Sequence, residues 1–123
     1  MVRTLLVEDS NFFRQLLKES LLSRFPKMEI LEAVDGEEAL QKITTHPPDL
    51  IFMDIKLPGE SGLELTQKIK SQYPDIVIII LTSYDTPEYR EAARQYHANY
   101  FLSKGASTKE SILTLIESIL SNR

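Results

Sequence analysis

The chain has 123 residues, 42% hydrophobic and 26% charged, which predicts one globular domain over residues 1–123 built on a single buried core. It contains no cysteine, which excludes disulfides, thiolate metal sites and cysteine nucleophiles and fits a reducing compartment. A formal net charge of −4 and a pI near 5.2 argue against direct nucleic-acid binding, which depends on a basic patch that neutralises phosphates.

Five apolar runs read as strands in chain order: Thr4–Val7, Glu29–Ala33, Leu50–Met53, Ile76–Leu81 and Tyr100–Leu102. Several are continuous in Val, Ile and Leu, as parallel strands covered on both faces require. The longest, Ile76–Leu81, is far short of the roughly 20 residues needed to cross a bilayer. A strand-like segment rather than a signal peptide follows Met1, so the expected location is cytoplasmic, with no membrane contact.

Helical spacing follows the strands, most clearly at Phe13, Leu16, Leu17 and Leu21 and again at Ile112, Leu115, Ile116 and Ile119. Predicted helix starts are Ser10 or Asn11, Asp35, Ser61, Thr86 followed by Pro87, and Ser107 or Thr108. Ser121–Arg123 reads as a frayed end. Strands alternating with helices predict an α/β fold: a doubly wound five-stranded parallel sheet.

In such sheets ligands bind beyond the carboxyl ends of the strands, where the strand order reverses. The first strand runs into Glu8-Asp9, the third ends at Asp54, the fourth at Thr82-Ser83, and the fifth leads to Ser103-Lys104; only the second lacks such a residue. That is the pattern of a flavodoxin-like order 2-1-3-4-5, in which the second strand is outermost and the first and third flank the switch point. Three carboxylates packed there repel, and a hard divalent cation such as Mg²⁺ relieves them. Lys104 and the Thr82 hydroxyl suit an anion with several oxygens, a phosphoryl group above all. A carboxylate nucleophile, Mg²⁺, a lysine and a hydroxyl suffice for phosphoryl transfer, which is mostly positioning and charge stabilisation.

These residues, in this order and spacing, resemble the receiver domains of bacterial response regulators over essentially the whole chain. The matching segments are Leu5-Leu6-Val7-Glu8-Asp9-Ser10, Met53-Asp54-Ile55-Lys56-Leu57-Pro58 with Gly62 beyond it, Leu81-Thr82-Ser83 and Tyr100-Phe101-Leu102-Ser103-Lys104. The resemblance implies that Asp54 accepts phosphate from a sensor histidine kinase or a small phosphodonor. Asp9, Asp54 and the Lys56 backbone carbonyl would hold Mg²⁺, with Glu8 acting through a metal-held water. It further implies that the domain assists its own phosphorylation and dephosphorylation, and that Thr82 and Phe101 turn inward together on phosphorylation. The face built from the fourth helix, fifth strand and fifth helix would then change shape, and homodimers through that face are expected.

Two positions depart from the family pattern: Glu8 where an aspartate is frequent, and Gly105 where a proline often supports a cis peptide after the lysine. The Lys104-Gly105-Ala106-Ser107 ending resembles receivers of the NarL/FixJ kind, whose output is a DNA-binding domain further along the chain. Lys56 and Tyr84, two residues beyond Asp54 and Thr82, are expected to shield the phosphate from water. His46 and His97 are expected at the surface, and Phe12-Phe13 to divide between surface and core. Tyr100 and Phe101 must point to opposite faces.

Three rivals compete with this reading. A haloacid-dehalogenase-type phosphotransferase needs an aspartate where Lys56 stands, and flavin binding needs a Ser/Thr/Gly-rich loop where Glu8-Asp9 stands. The third is a receiver-like interaction module that works without phosphorylation.

Overall fold

The computed structural model describes residues 1–123. The five runs rich in Val, Ile and Leu form β1 (Arg3–Val7), β2 (Glu29–Ala33), β3 (Leu50–Met53), β4 (Val77–Thr82) and β5 (Tyr100–Ser103), each followed by a helix. The helices are α1 (Asn11–Arg24), α2 (Gly36–Thr45), α3 (Gly62–Gln72), α4 (Pro87–Gln95) and α5 (Lys109–Ser121). All strands are parallel, in the order β2-β1-β3-β4-β5, as the distribution of polar strand ends predicts. Strand β4 begins one residue later than its apolar run, because the Ile76 amide closes a turn onto Tyr73 and the ladder starts where Val77 N–H donates to Asp49 O.

Alternation along the strands divides the core. Leu5, Val7, Ile51, Met53, Ile78 and Ile80 face α2, α3 and α4, and Leu6, Leu50, Phe52, Ile79 and Leu81 face α1 and α5. Both layers are sealed, which explains why these strands show no polar alternation. Each such aliphatic side chain contributes roughly 1.5–3 kcal/mol on burial, so the register resists slippage.

Helix starts fall on side chains that accept from the first free amides. The Ser10 and Thr108 hydroxyls cap α1 and α5, Asp35 caps α2 by accepting from Glu38 N–H at 2.9 Å, and Ser61 and Thr86 cap α3 and α4. The carboxyl end is tied down rather than frayed. Arg123 Nη2 lies 2.7 Å from Asp49 Oδ1, and Asp49 also accepts from Arg3 N–H at 2.8 Å. Burial works against the Asp49 anion, but these two donors outweigh it and hold its carboxyl below the usual range.

One glycine sets where α3 meets the sheet. Gly62 N–H donates to Ile55 O at 2.8 Å, and a Cβ on Gly62 would stand 1.8 Å from the Asp54 carbonyl oxygen. No side chain fits there without moving the Asp54 backbone. Gly62→Ala is therefore expected to destabilise the fold by roughly 1–3 kcal/mol, read from urea denaturation, the range found when atoms are forced into a filled site. Unchanged stability would show that the α3 start shifts freely.

Candidate functional site

Register brings the polar strand ends together. Val7 pairs with Met53, Met53 with Ile80, and Thr82 with Ser103, so Glu8 and Asp54 leave the sheet side by side. Both remain tied to it: Glu8 N–H donates to Ala33 O at 3.0 Å and Asp54 N–H to Val7 O at 3.1 Å. Glu8 and Asp54 are buried at 5% and 7% exposure, while Asp9, one residue on, is exposed. Carboxylate oxygens of all three lie within 4.8 Å of one another. At that spacing two like charges repel by on the order of 3–4 kcal/mol at an effective dielectric of about 20.

Lys104 is the counter-charge. Its backbone N–H donates to Thr82 O at 2.9 Å, and its Nζ reaches Glu8 Oε1 at 2.6 Å and Asp54 Oδ2 at 3.2 Å. The ammonium also sits 4.1 Å from the centre of the Phe13 ring, which walls it from water. The Lys104–Gly105 peptide is trans, and Gly105 leaves the lysine within reach of both carboxylates. One ammonium against three carboxylates still leaves the site anionic. Burial pushes the Glu8 carboxyl above its ordinary range and the Asp54 charge adds to this, while Lys104 and the Ser10 N–H restrain it. Burial works against the charged form of Lys104, but the Glu8 hydrogen bond and the charges of Asp54 and Glu8 prevail and raise its pKa.

The remaining expected residues surround this centre. Thr82 is fully buried at the end of β4, and its hydroxyl accepts from Tyr84 N–H at 3.2 Å. Phe101 is half-buried against the α2–α4 layer, with the Arg90 guanidinium 4.7 Å from its ring centre and Asp85 holding Arg90 by two hydrogen bonds. Tyr100 is exposed, as alternation along β5 requires. The Lys56 ammonium lies 5.2 Å from the Tyr84 ring centre and 5.5 Å from that of Tyr89, two rings packed edge to face. Phe12 and both histidines are exposed, whereas Phe13 packs inward.

Sequence reasoning missed Phe13 as the wall behind Lys104 and missed Arg14 altogether. The signal was their place in the first turns of α1, where a helix rising from the acidic turn carries its side chains back beside the strand end.

A parallel sheet with this order, carrying an acidic cluster and a lysine at its switch point, defines a doubly wound α/β domain with an anionic site at its strand ends. The family profile of the response regulator receiver domain matches residues 4–117, and the chain belongs to that family. It is a receiver of two-component signalling, governed by phosphorylation. It is 42% identical over 87 residues to the oxygen regulatory protein NreC of Staphylococcus carnosus, an alignment covering 69% of this chain and 40% of NreC. The signal receiver domain of NarL from Mycobacterium tuberculosis superposes with a TM-score of 0.87 at 28% identity, over 99% of this chain and 98% of that one. A DNA-binding response regulator of the LuxR family from Staphylococcus aureus superposes with a TM-score of 0.82 at 28% identity, over 98% of each chain.

Proposed function

We propose that Asp54 is the phospho-acceptor and that the acidic cluster takes up Mg²⁺ to make the transfer possible. The juxtaposition of Glu8, Asp9, Asp54 and Lys104 carries this reading. The donor set fits the ion: it is all oxygen, anionic, and open to water through Asp9. Asp9, Asp54 and the Lys56 carbonyl would hold the cation, with Glu8 behind them. When bound, Mg²⁺ supplies positive charge to the carboxylates and to the phosphoryl oxygens.

The chain's own groups do the rest. Asp54 Oδ1 accepts from Ile55 N–H at 2.7 Å, which fixes the carboxylate plane and leaves Oδ2, beside Lys104, to attack phosphorus. The new bond joins Oδ2 to phosphorus as the bond from phosphorus to the donor nitrogen or oxygen breaks, and the leaving group departs with the electron pair. Lys104 then transfers its hydrogen bonds from the carboxylates to the phosphoryl oxygens. The Thr82 hydroxyl, whose oxygen accepts from Tyr84 N–H, turns to donate its O–H to a phosphoryl oxygen and so couples the site to β4, and Phe101 follows by moving inward from beneath Arg90. A phosphorylated state that satisfies both Lys104 and Thr82 would become dominant by population shift and reshape the α4-β5-α5 face.

The donor is a sensor histidine kinase, and the domain assists both gain and loss of its phosphate. Likeness to a DNA-binding response regulator of the LuxR family supports an output domain that binds DNA as the route to transcription regulation, and homodimerisation through the reshaped α4-β5-α5 face would couple phosphorylation to that output. The phosphorylation-independent reading has no observation in its favour, because Lys104 keeps both its partners despite Gly105.

Incubation with Mg²⁺ and acetyl phosphate should add the mass of one phosphoryl group, and the gain should vanish in Asp54→Asn or with chelator. A wild-type chain that gains nothing would overturn the reading. The Lys56, Tyr84 and Tyr89 cluster lies on the expected route of water to the phosphate, so Lys56→Ala combined with Tyr84→Ala should shorten the phosphate half-life several-fold. An equal or longer half-life would remove the shield.

A further inference from the structure

We infer that Arg14 is a positioning residue for the acidic turn, holding the Glu8–Asp9 peptide in the orientation that aims the carboxylates at a common cation. The inference rests on the metal reading of the same site. Arg14 lies one turn into α1, and its side chain is only 13% exposed. Its guanidinium makes three hydrogen bonds in three directions: Nη1 to the Glu8 carbonyl oxygen at 2.7 Å, Nε to Glu32 Oε1 at 2.8 Å, and Nη2 to Asn11 Oδ1 at 2.6 Å. The planar fork therefore joins the acidic turn, β2 and the first residue of α1.

The bond to Glu8 O is the informative one. Strand β1 ends at Val7, and the ladder continues only as far as Glu8 N–H on Ala33 O. No backbone amide donates to the Glu8 carbonyl, so Arg14 is its partner. The peptide unit is planar, and the direction of that carbonyl sets where Asp9 N and Cα stand, hence where the exposed Asp9 carboxylate can reach. Glu8 and Asp54 are fixed by the sheet, but Asp9 is past its edge: Ser10 N–H on Glu8 Oε2 at 3.0 Å holds the peptide that follows Asp9, and Arg14 holds the one that precedes it.

Charge and geometry can be separated here. Glu32 takes Nε of Arg14 and also pairs with Lys18 at 3.2 Å, so the arginine's charge is offset on the β2 side, away from the carboxylate cluster. If Arg14 acted only as a nearby cation, removing it would strengthen Mg²⁺ binding, because one positive charge beside an anionic site would be gone. If it positions the turn, removal weakens binding. The two roles predict opposite signs.

The test is calorimetric titration of Mg²⁺ into the unphosphorylated 123-residue chain as wild type, Arg14→Met, Arg14→Lys and Glu32→Gln, with thermal midpoints measured in chelator. Arg14→Met should raise the Mg²⁺ Kd by about tenfold or more, the scale on which groups that orient metal ligands act. Arg14→Lys keeps the charge, but a compact ammonium cannot span the three separated acceptors that the planar fork reaches, and the variant should raise it about threefold or more. Glu32→Gln leaves the bond to Glu8 O in place and should lower the midpoint without a comparable change in Kd. An unchanged or tighter Kd in both Arg14 variants, with midpoints falling as in Glu32→Gln, would reduce Arg14 to a brace between α1 and β2 and overturn the inference. A wild-type chain that binds no Mg²⁺ would overturn the metal reading itself, a result distinguishable from the first.

Discussion

Glu8, Asp9 and Asp54 hold carboxylate oxygens within 4.8 Å of one another at the end of a sheet that cannot yield. Two of the three are buried, and water therefore cannot dissipate their repulsion as it would on a surface. The repulsion, a few kcal/mol per pair, exceeds what an exposed ion pair returns. Lys104 offsets part of it by bonding Glu8 and Asp54 together. What remains is a standing demand for positive charge, and the chemistry of the domain follows from it.

The fold keeps the demand from being relaxed. Strands β1 and β3 are adjacent, in register, and sealed between two apolar layers, so neither strand end can move without exposing aliphatic side chains. Gly62 lets α3 close directly over the Asp54 carbonyl, while Arg14 and Glu32 fasten the opposite side of the acidic turn. Beyond this rigid centre the contacts are of a more exchangeable kind: a threonine hydroxyl on an amide, a lysine over two rings, an arginine over Phe101. A centre that holds its geometry beside groups that can trade partners is what a phosphorylation switch needs.

The strands and their order were legible because parallel strands sealed on both faces leave unbroken aliphatic runs, and because polar residues ended every run but that of β2. The site centre was legible for the same reason: Asp54 follows four buried apolar residues, and Lys104 stands where β5 must end. The rest depended on partners far apart in sequence or on the direction of long side chains. Arg123 finds Asp49 across 74 positions, Lys56 turns onto Tyr84 and Tyr89, and Arg14 reaches a carbonyl that only the end of the β1 ladder leaves free. No periodicity encodes such contacts. Gly62 was visible as a motif residue, but its reason, an approach of 1.8 Å between a would-be Cβ and a carbonyl oxygen, exists only in the folded chain.

Charge crowding at the strand ends opposes folding until a cation relieves it. The most direct measurement compares the thermal midpoints of the wild type and Asp54→Asn, each in chelator and in saturating Mg²⁺. Asparagine keeps the hydrogen bond to Ile55 N–H, gives up the one from Lys104, which retains Glu8, and removes one negative charge from the crowded site, so in chelator the variant should melt above the wild type. Added Mg²⁺ should stabilise the wild type by far the more. A variant that melts below the wild type in chelator, or a wild type whose midpoint Mg²⁺ leaves unchanged, would show that carboxylate repulsion does not govern this site.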